Sequence, residues 1–156
     1  MKKGISLTVL LLAIAVSFIL ISSIIVSYNN ITEKAIKSNF AKEIYHIETL
    51  VEEYEFKKGE YPVLNNITFD ISSINEKSQF VGCSGYSSNN ITLSKIDLKK
   101  INISELNYGT EDSTNDIYVY SKETKKVYYL KGRVIAGNTY YTLTNELREY
   151  IGVNSL

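Results

Sequence analysis

The residues that could do chemistry are few. Between Glu111 and Asp116 the chain runs Glu-Asp-Ser-Thr-Asn-Asp, with several oxygen donors close together. That density suits a hard cation such as calcium, and Asp112, Asn115 and Asp116 are the candidate ligands. The spacing fits no EF-hand loop and lacks its glycine, and a solvated turn before a strand explains the same residues. His46 is the only histidine and Cys83 the only cysteine. Neither offers a convincing nucleophile–base pair or a metal-ligand spacing. A single cysteine leaves no intramolecular disulfide, and in Gly82-Cys83-Ser84-Gly85 it reads as a small side chain tucked into a turn. His46 falls near the polar edge of a helical pattern, as a surface residue. Sequons at Asn30, Asn66, Asn90 and Asn102 arise readily in an Asn-rich chain. With no catalytic set in sight the chain reads as non-enzymatic, and no cofactor is implied.

The informative features are therefore the elements. Lys2, Lys3 and Gly4 lead into an apolar run from Ile5 to about Val26. No charged residue falls between Lys3 and Glu33, and no glycine or proline between Gly4 and Gly59. About twenty apolar residues suffice to cross a hydrocarbon core of about 30 Å as a helix. A single span has to be helical, because lipid offers the backbone no hydrogen bonds. Thr8, Ser17, Ser22 and Ser23 can bond back to their own helix. The leading lysines keep the N-terminus cytoplasmic and send the rest out. Ala13-Ile14-Ala15 matches a signal-peptidase pattern, but the run stays apolar for about ten residues beyond it, where a signal peptide turns polar.

Past the run the pattern becomes amphipathic. Ile36, Phe40, Ile44, Ile47, Val51 and Tyr54 are three or four apart and make one apolar stripe. Glu33 and Lys37 fit an exposed pair at four-residue spacing. Lys57, Lys58 and Gly59 carry a helix C-terminus. One helix of roughly 80 Å is expected, membrane span over 5–27 and amphipathic spine over 28–58.

Residues 59–115 carry few regular signals, with short apolar pieces separated by Asn, Ser and Gly, and read as a long variable loop. A short helical turn is expected within 97–106. Over 116–156 the pattern turns to strands: 117–120, then 127–130 ended by Gly132, then pieces at 133–135 and 139–143. Alternation sets Tyr118 and Tyr120 on one face and Ile117 and Val119 on the other. The pairs Tyr128-Tyr129 and Tyr140-Tyr141 split between faces, so some rings are expected to point outward. Thr144 caps a short helix to Tyr150. An antiparallel meander packed on the amphipathic helix gives a two-layer α+β head.

Lys3-Gly4-Ile5-Ser6-Leu7 and the apolar run after it resemble the leader of type IV pilins and pseudopilins. Gly59-Glu60-Tyr61-Pro62 is similar to the turn that follows the long helix in many pseudopilins. The resemblance implies a pilin-like fold, cleavage of a 1–4 leader after Gly4 by a prepilin peptidase, and N-methylation of Ile5. It also implies assembly contacts through Leu7, Val9, Leu12, Ala13 and Ser17. The implied partners are other pilin or pseudopilin subunits, an inner-membrane assembly platform and membrane lipid. Two positions depart: Ile5, mildly, stands where phenylalanine is commoner, and Val9 stands where the family usually carries glutamate. That acid is held to pair with a neighbour's N-terminal amine, which is costly to leave alone in lipid. Its loss points to a minor or initiating subunit.

The expected function is thus a structural subunit of a cell-surface filament or of a secretion or DNA-uptake machine. It would be a single-pass membrane protein whose C-terminal domain is extracytoplasmic, reaching the cell surface or pilus on assembly. The alternative is an uncleaved, signal-anchored binding module that does not polymerise. Zero net charge over 156 residues disfavours nucleic acid as a partner without ruling it out.

Overall fold

The computed structural model describes residues 7–110 and 113–153, with side chains throughout except at 7–10 and 23–27. Helical hydrogen bonding extends over Leu7–Lys58, α1. The chain divides into two compact units, Met1–Ala35 and Ile36–Leu156.

In the first unit, the described side chains from Leu11 to Ser22 are all exposed. Among the described residues no helix is long and apolar enough to cross a membrane. The expected span over 5–27 lies partly outside them.

The second unit is α+β. Its five strands are β1 (Val63–Asp70), β2 (Asn90–Ile96), β3 (Tyr118–Ser121), β4 (Lys126–Ile135) and β5 (Asn138–Thr142), followed by α2 (Asn145–Tyr150). All four pairings are antiparallel and join chain neighbours in the order β1-β2-β3-β4-β5. The α1 residues of this unit lie against one face of the sheet. Phe40, Ile44, Ile47 and Val51 are fully buried there with Tyr118, Tyr120, Val127, Tyr129 and Tyr140. Ile36 and Tyr54 pack at its margin, so the expected stripe is the buried one. The helix stops at Lys58 because Gly59 takes φ 72°, and its N–H closes on the Glu55 carbonyl at 2.7 Å.

The other face is covered too, against the two-layer expectation. Ile71, Phe80 and Cys83 come from the stretch between β1 and β2 and pack on Ile117, Val119, Tyr128 and Leu130. Phe80 stacks on Tyr128 with centroids 5.2 Å apart. The split of Tyr118 and Tyr120 from Ile117 and Val119 follows the alternation. With both faces covered, Tyr118, Tyr120, Tyr128, Tyr129, Tyr140 and Tyr141 are all buried. None of these rings points outward.

Two further expectations need correcting. Residues 59–115 are not simply a loop, since they supply β1 and β2, two of the five strands. Gly132 does not end the second hairpin strand, because β4 runs through it to Ile135 with a register shift against β5. A Cβ there would stand 2.6 Å from Thr139 Cγ2 and 2.8 Å from Tyr141 Cε1, so glycine permits a close approach within the strand. The turn expected within 97–106 is present, with Asp97 Oδ1 accepting from the Lys99 and Lys100 N–H groups. Thr144 caps α2, its Oγ1 accepting from Leu147 N at 3.3 Å.

Candidate functional site

Two regions hold the candidate functional side chains, and each belongs to one unit. The first is the α1 segment around Ala13 and Ser17. Leu12, Phe18 and Ile19 are each 66% exposed, and Leu11, Leu20 and Ile21 are exposed beside them. The polar side chains turn inward on their own backbone: Ser17 Oγ donates to the Ala13 carbonyl and Ser22 Oγ to the Phe18 carbonyl, both at 2.8 Å. Hydroxyls satisfied in this way leave the helix surface apolar. Ala13, Ile14, Ser17, Phe18 and Ile21 line a shallow notch of about 240 Å³. Leu7 and Val9 belong to the helical backbone, but their side chains lie outside the described residues, as do Gly4 and Ile5 altogether.

The second region is the helix face of the head, where α1 carries two carboxylates into the core. Glu43 accepts hydrogen bonds from Asn107 N at 2.7 Å, Asn107 Nδ2 at 2.6 Å, Tyr108 N at 3.0 Å and Tyr118 Oη at 2.6 Å. Burial, then this carboxylate, pushes the Tyr118 phenol well above its ordinary pKa. Glu43 thereby pins the segment after Leu106 to the helix.

Glu48 is buried five residues further along α1. It accepts from Val127 N at 3.2 Å and lies 3.5 Å from an Arg148 nitrogen. Burial raises its pKa to about 7; the Val127 bond and the Arg148 charge pull it down less strongly. Glu48 and Arg148 border an open groove of about 900 Å³ with Tyr45, Gln79 and Lys126. Lys37, expected at the surface beside Glu33, is only 6% exposed and donates to Glu146 Oε1 at 2.8 Å. The reason is α2, which brings Glu146 over this part of the helix; Lys37 and the Tyr140 hydroxyl together lower the Glu146 pKa.

Of the calcium candidates, Asn115 and Asp116 are described. Asp116 accepts from the Tyr129 hydroxyl and from Lys131 Nζ at 3.0 Å, and these two partners depress its pKa. An ammonium already neutralises that carboxylate. Asn115 is exposed, its N–H bonded to Ser113 Oγ, and Asp112 lies outside the described residues. Among the described residues no three His, Cys, Asp or Glu side chains stand together as a metal site would need. His46 is exposed, and Cys83 is buried with its thiol donating to Tyr128 Oη at 3.4 Å.

Sequence reasoning missed Glu43 and Glu48 as structural anchors. Both sit one position from apolar-stripe residues, at Ile44 and Ile47, which was the available signal. No protein-family model matches the chain, and no curated protein or solved structure matches it either.

Proposed function

We propose that the protein is a minor type IV pilin or pseudopilin, a non-enzymatic subunit of a cell-surface filament or of a related secretion or DNA-uptake machine. The observation that carries the reading is the bare apolar coat of α1 over residues 11–22, whose hydroxyls are spent on their own backbone. A helix apolar all round needs lipid or other helices around it. The amphipathic remainder of α1, buried under an antiparallel sheet, supports the same reading, because a pilin-like subunit combines such a helix with such a head.

On this reading α1 is one long helix whose first half, 5–27, spans the membrane. The chain inserts with Lys2 and Lys3 in the cytoplasm, is cut after Gly4 and methylated on Ile5. It is then drawn from the bilayer into a helical assembly by the inner-membrane platform. Extraction exchanges lipid contacts for helix–helix contacts of similar polarity, so close packing decides the outcome. The notch at Ala13 and Ser17 lets a neighbouring helix approach. Val9, apolar where an acid would pair with a neighbour's amine, suits a subunit that starts or caps the assembly.

Intact-mass and N-terminal analysis of the protein from its native membrane tests this. The expected species begins at Ile5 and carries one added methyl group. A chain retaining Met1, in cells whose prepilin peptidase is active, would overturn the filament reading in favour of an anchored binding module.

A further inference from the structure

Arg133 holds a charge that no carboxylate among the described residues pairs with. It lies on β4 between Tyr129 and Ile135, both of which face the helix-side core, and its pairing with Tyr140 and its approach to the Tyr108 ring place it on that same side. None of the ion pairs among the described residues includes Arg133. Its Nε is buried with no hydrogen-bond partner. A guanidinium presents five donors in a planar fork, and a buried donor with nothing to bond is rare enough to require a reason.

What Arg133 does have is a platform. Its guanidinium carbon sits 4.9 Å from the centroid of the Tyr108 ring. That ring is fixed from behind: Glu43 accepts from the Asn107 and Tyr108 N–H groups, and Phe40 meets the ring edge-on at 5.5 Å. A cation held over a pinned aromatic face has already lost much of its side-chain freedom, which lowers the cost of binding. The cleft beside it holds about 580 Å³, between Asn107–Thr110 on one side and Lys131–Val134 on the other. Lys131 is paired with Asp116 at 3.0 Å. Among the described residues that line the cleft, Lys131, Arg133 and Asp116 thus leave one net positive charge.

We propose that this cleft binds a carboxylate, presented by an acidic side chain of a protein or peptide partner. A single negative charge balances the described lining of the cleft, and the planar fork matches a carboxylate's two oxygens. Arg and Tyr are also among the residue types enriched in the hot spots of protein interfaces. This inference does not depend on the chain being a filament subunit.

The test uses the full chain in detergent micelles, following the Arg133 Nε–H resonance by ¹H–¹⁵N NMR. The probes are an acetyl-Gly-Glu-Gly-amide peptide, the same peptide with Gln for Glu, inorganic phosphate and a short single-stranded oligonucleotide. The acidic peptide should give a saturable shift, at least about tenfold tighter than the Gln peptide gives. Arg133→Gln, followed through the Gly109 and Gly132 amides, should abolish it; Arg133→Lys should weaken it about tenfold, because charge without the fork remains. No saturable shift, equal response to both peptides, or tighter binding of phosphate or oligonucleotide would overturn the proposal. Should Arg133→Gln fail to fold, the comparison of the two peptides on the unaltered chain decides alone.

Discussion

Glu48 shows how a single side chain can set the pH response of the head. Its pKa is raised from 4.5 to about 7 chiefly by burial, despite Arg148 nearby. Between those pH values the folded chain binds a proton that the unfolded chain releases. This contribution is therefore fully present below about pH 4.5 and is lost as pH rises through 7, by roughly 3 kcal/mol at most. Asp116 and Glu146 act in the opposite sense, since partners lower their pKa values and their contribution is lost as pH falls through those values. Glu48→Gln keeps an oxygen for the Val127 N–H while removing the charge. Urea midpoints at pH 5 and pH 8 should differ less in the variant than in the parent, through a gain at pH 8. Equal differences in the two proteins would show that burial of Glu48 does not govern this window. None of this was legible in the sequence, where Glu48 is one of several glutamates on a helix and only the approach of Val127 and Arg148 singles it out.

At the scale of the element, legibility followed side-chain chemistry closely. The stripe from Ile36 to Tyr54, the stop at Gly59 and the cap at Thr144 rest on local rules, and each appears where those rules place it. β1 escaped because Val63–Asp70 contains Asn65, Asn66 and Asp70, poor strand formers tolerated on an edge strand. The opposite edge, β5, is protected in a way no sequence pattern announces. Gln79 Nε2 donates to the Thr139 carbonyl at 2.7 Å, and its Oε1 accepts from Tyr141 N at 2.8 Å. Glu76 Oε1 accepts from Thr139 N at 3.3 Å. One side-chain amide thus occupies the place of a sixth strand, and open edges invite pairing with other chains. Gln79→Ala should destabilise the head by about 1–3 kcal/mol through the backbone groups left unpaired. It should also raise self-association, read by sedimentation velocity at matched detergent. A variant with parental stability and parental mass would mean the edge is protected by other groups.

For the whole molecule the question is what surrounds the exposed apolar helix of the first unit. The Arg133 cleft and the Glu48 groove belong to the second unit and tell nothing of it. For this part the expectation comes from the sequence, because a run without charge or glycine from Ile5 to Val26 suits a membrane span. Leu12 is a direct probe, being 66% exposed and near the middle of the run. A lysine there costs about 2.5–3.5 kcal/mol on insertion scales, enough to shift a marginal span out of the bilayer. Leu12→Lys should therefore move the protein from the membrane fraction to the soluble or degraded pool, while Leu12→Phe should leave it in place. Head folding has no reason to respond, since Leu12 lies outside both cores. If Leu12→Lys reaches parental membrane levels, the apolar coat is not facing lipid, and a protein partner must cover it from the start. If it leaves the membrane while Leu12→Phe stays, lipid is the first neighbour of this helix, and assembly with other subunits is a later exchange of partners.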